Sequence, residues 1–238
     1  MTDEAIIGTM SPQTIRILSA SAVRQAMTAA AQDFHIRTGA SLHLHFGTSG
    51  AVEQRINAGE SFDVVAASLA ALQALHKADR IGAPVAVGAS RIALGLKDGV
   101  PAPDVSTLEK FRAVMLAARS IARGDPAGGG TAGNHLQRAL ERIDLLEPTR
   151  AKTLLKVGGY KVMQEVAEDR ADFGLTQSTE IVAVDGVHIA AWLPEEVQMT
   201  TIYAVAPALS PSAPGAFFTA LVDGHSDEIY RRAGFFPA

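Results

Sequence analysis

The chain contains no cysteine among its 238 residues, which removes disulfides, thiolate metal ligands and cysteine nucleophiles together and leaves the redox compartment undecided. Aromatic residues are scarce at 5%, and charged residues reach 19% against 47% hydrophobic, a balance that excludes disordered and fibrous classes and suits a soluble globular α/β protein. There is no basic surplus: a formal net charge of -4 offers nothing to neutralise a nucleic-acid duplex. A small anion is still admissible, because a pocket answers to its local field rather than to net charge. No run approaches the roughly 18 apolar residues of a membrane span. The segment from Met1 to Ile15 carries no export signal either, since it has Asp3 and Glu4 but no Lys or Arg, and Ala5–Ile7 is too short for an apolar core. As it stands the sequence reads as cytoplasmic; with an export signal removed beforehand it reads as periplasmic.

What is present is a regular alternation of short apolar runs and helical patterns. Ile15–Leu18 predicts a strand that stops at Ser19-Ala20-Ser21, and Val23, Met27, Ala30, Ala31 and Phe34 then fall at helical spacing. Leu42, Leu44 and Phe46 alternate with His43 and His45 as a half-buried strand does, and Gly47-Thr48-Ser49-Gly50 turns into a helix through Ile56. Phe62–Ala66 reads as a third strand, followed by a helix over Ser68–Ala78. Strands separated by such helices imply parallel βαβ units. From Arg91 the pattern continues without a linker: Ile92–Leu96 as a strand, Ser106 and Glu109 as a capping box for a helix to Ala118, then a strand at Ile121–Arg123 ending in Gly124-Asp125-Pro126-Ala127-Gly128-Gly129-Gly130-Thr131. A helix to Ile143, strands near Leu154–Val157 and Phe173–Thr176 with a helix Tyr160–Asp169 between them, strands at Val187–Ala191 and Thr201–Ala206, and C-terminal helices complete the chain.

Five strands end in small or hydroxyl-bearing turns that open a helix. The candidate ligand-binding residues are accordingly Ser19 and Ser21, Thr48 and Ser49, Gly129, Gly130 and Thr131, Gly159, and Gln177 with Ser178. In an open α/β sheet a ligand lies beyond the carboxyl ends of the strands, where helix N-termini present unpaired N–H groups and partial positive charge to an anion. Serine, threonine and glycine are also the ordinary residues of caps and βα turns, so the weight lies in the set rather than in any one turn.

The ordered set resembles the type II periplasmic binding proteins of the molybdate-binding class over Ile15 to Pro237. The carriers of the resemblance are Ile15–Ser21, Phe46-Gly47-Thr48-Ser49-Gly50, Ala58-Gly59-Glu60-Ser61-Phe62-Asp63-Val64-Val65, Asp125-Pro126 with its glycines, Phe173-Gly174-Leu175-Thr176-Gln177 and Tyr230–Phe235. The resemblance implies an α/β, two-lobed fold, each lobe a mainly parallel sheet flanked by helices. Residues 14–90 with 207–238 would form lobe one and residues 91–206 lobe two, joined by crossing strands near Arg91–Leu96 and Thr201–Ala206, with an anion held in the cleft between lobes. An ABC transporter is the implied partner if the protein is exported. Two departures, Ala22 in place of a serine just before the first helix and Gln177 in place of a tyrosine, put molybdate itself in doubt. The turn at Asp125–Gly133 and the stretch Gln177-Ser178-Thr179-Glu180 look closer to a subgroup similar to aconitate isomerase, a polycarboxylate enzyme on the same scaffold.

Two functions are therefore weighed: a solute-binding or sensor protein for a polycarboxylate or oxyanion, and a cofactor-independent isomerase that moves an allylic proton. The second needs one group to take a proton and one to return it, for which Glu180 and His135 are the catalytic candidates. An acid in the first turn of a helix also simply complements its dipole, and His135 can equally face solvent. No metal or other cofactor is expected. His43 and His45 share a strand face, but no third ligand is evident nearby and a solvated face is the expectation. Arg91, Lys97 and Lys161 are available as countercharge, Asp63 reads as structural, and Trp192 as core packing. The glycine turn lacks the lysine of a nucleotide-binding loop, and no Gly-x-Ser-x-Gly signature appears.

Overall fold

A computed structural model of the chain describes residues 3–11, 13–210 and 215–238. The elements in order are β1 (Glu4–Ile7), β2 (Ile15–Ala20), α1 (Arg24–Thr38), β3 (Leu42–Gly47), α2 (Ser49–Asn57), β4 (Val64–Ser68), α3 (Leu69–Lys77), β5 (Val85–Lys97), α4 (Leu108–Ala117), β6 (Ile121–Gly124), α5 (Thr131–Arg142), α6 (Leu146–Thr149), β7 (Thr153–Lys156), α7 (Gly159–Ala167), β8 (Phe173–Gln177), α8 (Ser178–Ile181), β9 (Val187–Trp192), β10 (Thr200–Pro207), α9 (Ala216–Val222) and α10 (Asp227–Arg232). The chain divides into two compact units. One runs through Ala89 and resumes at Thr201–Ala238; the other is Ser90–Thr200, so the chain passes from unit to unit twice, within β5 and at the start of β10.

In the first unit the strand order is β1-β3-β2-β4-β10. Strands β2, β3 and β4 are parallel, with Ala20 opposite Gly47 and Ser19 opposite Ala66, so their carboxyl ends line one edge. The flanking β1 and β10 are antiparallel to their neighbours. Ile17, Leu18, Leu42 and Leu44 are fully buried with Met27 of α1 and Leu72 of α3 in one core that also takes in Phe217, Tyr230 and Phe235. Each such side chain contributes about 1.5–3 kcal/mol by leaving water. Helix α1 stops at Gly39, which adopts φ 73 and donates its N–H to the His35 carbonyl at 2.7 Å, a left-handed turn that glycine enters without a Cβ penalty.

In the second unit β6 is parallel to β7 and β8, while β5 is antiparallel to β8 and β9. The two-residue period of β5 sends Ile92, Leu94 and Leu96 into a core with Phe111 and Leu136, and Ala93 into a second core with Val162 and Met163. Gly95 and Gly174 are directly opposed in that sheet, and a Cβ on either would meet the Met163 sulfur at 2.8 Å. The paired glycines thus let α7 lie close on the sheet and fix where its N-terminus falls.

One cap differs from expectation. Helix α4 is capped by Thr107, whose hydroxyl accepts from the Lys110 N–H at 3.3 Å, while the Ser106 hydroxyl, one residue earlier, turns to Asp104 and donates to it at 2.7 Å. Trp192 is not core either: it is 38% exposed, with the Arg91 guanidinium 5.4 Å from its ring centroid.

Candidate functional site

Each unit gathers its own small-residue turns at the carboxyl ends of its parallel strands. In the first unit Ser21, directly after β2, donates its hydroxyl to the Gly47 carbonyl at the end of β3, at 2.9 Å. Thr48 caps α2 by accepting from the Ala51 N–H at 3.1 Å, and the buried Ser49 hydroxyl accepts from the Ser68 N–H, at 3.2 Å, where β4 ends. Ser21, Thr48 and Ser49 are therefore brought together, and Ser68 joins them. Ser19 is fully buried, its hydroxyl turned to the Ala20 carbonyl at 3.2 Å.

In the second unit β6, β7 and β8 end side by side. Asp125 after β6 donates its N–H to the Lys156 carbonyl at 2.8 Å, and Gly128 lies against Val157, to which an added Cβ would come within 3.0 Å. Asp125 holds the turn by accepting from the Ala127 N–H at 2.9 Å; Gly129 at φ 68 then reverses the chain, and Gly130 is the N-cap of α5. The N-cap of α5 is Gly130, which has no side chain to offer its N–H groups, and the first turn, beginning with Thr131, carries no acidic residue. The first N–H groups of a helix have no partner within it, so this end can receive an external acceptor.

Helix α7 is treated differently. The Glu180 carboxylate is 6% exposed; Oε1 accepts from the Gly159 N–H at 2.9 Å and Oε2 from the Thr176 hydroxyl at 2.7 Å. The protein supplies this helix N-terminus with a carboxyl oxygen of its own. Gly159 is required there, since a Cβ would overlap Thr176 and Glu180. Gln177 and Ser178 are buried beside it, and the Ser178 hydroxyl lies 2.9 Å from that of Ser90. His135 is half-buried rather than solvent-facing, with Nε2 3.1 Å from the Val197 carbonyl; an acceptor there requires the ring to carry its proton on Nε2. Glu180 and His135 thus lie in the same unit, each engaged by other parts of it.

The sequence reading missed Ser68, Ser90, Thr176 and Arg123. Ser68 and Thr176 are hydroxyls at strand ends and Ser90 lies midway along β5, positions legible only once strand lengths are known. Arg123 on β6 is 4% exposed, donates to Gln137 Oε1 at 2.8 Å, and lines a pocket of about 230 Å³ with Pro126, Arg150 and Leu155. Burial pulls its guanidinium below the ordinary arginine value, with Asp125 opposing. Its signal was an arginine at an inward position of an otherwise apolar strand. Asp63 is buried and accepts from the Arg16 N–H at 2.8 Å, while Lys97 pairs with Asp169.

The first unit also supplies what His43 and His45 lacked. Strand β1 puts Glu4 opposite His45, with its carboxylate oxygens 3.0 Å from His45 Nδ1 and 3.3 Å from His43 Nε2.

Two α/β units that present glycine and hydroxyl turns at their strand ends define a protein that holds a small solute. The chain belongs to the family of bacterial extracellular solute-binding proteins, whose model matches residues 15–236. It is 27% identical, over 235 residues covering 94% of this chain and 88% of the relative, to an aconitate isomerase from a Pseudomonas species. In structure it is similar to the periplasmic molybdate-binding protein of Azotobacter vinelandii (TM-score 0.74, 17% identity, 94% of this chain and 99% of the other). It is likewise similar to the sulfate-binding protein of Mycobacterium tuberculosis (TM-score 0.72, 14% identity, 95% and 87%). The fold is that of the two-lobed type II periplasmic binding proteins.

Proposed function

We propose that the protein captures a small organic polycarboxylate or oxyanion through backbone N–H groups and hydroxyls at the strand ends of its units. The observation that carries this reading is the N-terminus of α5. It follows a run of three glycines, has Thr131 as its first residue, has an N-cap, Gly130, without a side chain to accept from its N–H groups, and has no acid in its first turn. Helix α7, by contrast, is already neutralised by Glu180. A carboxylate or oxyanion at α5 would gain both the unpaired N–H groups and the positive end of the helix dipole.

Polycarboxylates are the first choice because the curated relative acts, by its name, on aconitate. Delivery to a membrane transporter outside the cytoplasm is the context we propose, in line with the family's description. The test is a melting screen of citrate, cis- and trans-aconitate, sulfate and molybdate. A ligand at 100 times its Kd adds about 2.7 kcal/mol, which moves the melting temperature of a chain this size by roughly 5–10 °C. No shift with any of the five would remove the reading.

The same relative favours one further reading, an isomerase interconverting cis- and trans-aconitate. Glu180 would then exchange protons while releasing the Gly159 N–H or the Thr176 hydroxyl, with His135 as the partner. Incubation with either isomer gives conversion on this reading, and Glu180→Gln slows turnover more than it weakens binding. Stabilisation without conversion leaves the protein a binder.

A further inference from the structure

We propose that Glu4, His43 and His45 form a site for one divalent transition-metal ion of the zinc type, which clamps the N-terminal strand to the sheet. The site is built by register. In β3 the alternation buries Leu42, Leu44 and Phe46 and turns His43 and His45 to the other face, two residues apart. Strand β1 pairs antiparallel with β3, placing Glu4 directly opposite His45 and Ile6 opposite His43. The Glu4 carboxylate divides itself between the rings, Oε1 at 3.0 Å from His45 Nδ1 and Oε2 at 3.3 Å from His43 Nε2. One ligand atom from each residue lies within 4.8 Å of the others.

These separations match a shared ion. Nitrogen and oxygen ligands bound to one zinc at about 2.0–2.2 Å stand roughly 3.3–3.6 Å apart at tetrahedral angles, close to the two nitrogen–oxygen separations, and all three ligand atoms lie within 4.8 Å of one another. The rings are close already, with centroids 4.1 Å apart, and both side chains are largely buried at 15% and 18% exposure, whereas Glu4 is 52% exposed. The donor set selects the ion. Calcium and magnesium prefer all-oxygen shells and copper(I) prefers sulfur, while two imidazoles and a carboxylate suit zinc and its neighbours. The nearby cation Arg55 is bound to Glu60 through Nε and Nη2 and so is neutralised in place.

An ion held here ties β1 to β3. That strand has only four residues, alternately exposed and half-buried, so its backbone ladder alone holds it weakly. Three protein ligands leave a fourth tetrahedral position for water or another donor. None of the three residues belongs to the turns of the proposed anion site, so the inference stands or falls separately.

The experiment uses the full chain without an affinity tag, stripped by chelator and titrated with zinc chloride in calorimetry, with amide hydrogen exchange read in parallel. The expected result is one ion per chain, a raised melting temperature, and slowed exchange at Ala5 and Ile7. The variants Glu4→Gln, His43→Ala and His45→Ala should each weaken binding beyond the roughly 10–100-fold that loss of an outer partner costs. His225→Ala, at an exposed histidine elsewhere, should leave it unchanged. Circular dichroism of the zinc-free variants checks that they fold. Unaltered zinc affinity in folded His43→Ala and His45→Ala, or no saturable binding to the wild type, overturns the proposal.

Discussion

At the residue scale the most constrained position is Gly159, whose absent side chain admits the Glu180 carboxylate to the start of α7. Gly159→Ala should destabilise the protein by about 1–3 kcal/mol, as overpacking of a closed site does, read as a lowered denaturant midpoint. An unchanged midpoint would show that the Glu180 bridge is loose. A second carboxylate sets the response to acid. Glu165 is 6% exposed, and hydrogen bonds from Arg170 and then Lys156 hold its carboxyl down at about 2, below the ordinary 4.5, with burial opposing them. Because the folded state binds the proton more weakly than the unfolded one, this contribution is fully present above about pH 4.5 and is lost as pH falls toward about 2. Melting temperatures from pH 6 to pH 3 should therefore fall more steeply for the wild type than for Glu165→Gln. Parallel profiles would remove Glu165 as a source of acid sensitivity.

At the scale of elements, caps decide where helices begin. Thr107→Ala should cost about 1 kcal/mol by freeing the Lys110 N–H, whereas Ser106→Ala, which loses only exposed side-chain contacts to Asp104 and to the Lys110 ammonium, should cost less in the same unfolding assay. The reverse order would restore Ser106 as the cap. The capping-box spacing of Ser106 and Glu109 was legible, but the competing acceptor at Asp104 was not, because that choice depends on turn geometry. Strands β2, β3 and β8 were legible from apolar runs and alternation. Strand β1 was not: Glu4–Ile7 has four residues and no buried face of its own, and only pairing with β3 makes it a strand. That omission hid the third member of the His43–His45 cluster. The reach of β5 back to Val85 was likewise hidden, since Val85 and Ala86 are exposed and lack a core-facing pattern.

At the scale of the whole molecule, the order of strands and turns made the α/β class readable, because each βα turn carries its own glycine or hydroxyl signature, while two lobes were implied only by the family resemblance. What those turns do was less readable. Ser21, Ser49 and Glu180 find partners 26, 19 and 21 residues away, at separations that no local pattern encodes. The sequence marks Gly159 and Thr131 alike as helix starts; only the three-dimensional arrangement shows that a carboxyl from 21 residues away accepts from the first of them. The family adds that the task is solute capture.

The most direct test of that account is calorimetric titration of citrate and sulfate into the wild type and Thr131→Val. The account predicts saturable one-to-one binding of at least one anion, weakened about 10-fold or more in Thr131→Val by loss of a hydrogen bond to a charged group. Equal affinity in the folded variant, or no heat of binding with either anion or the aconitates, would contradict it.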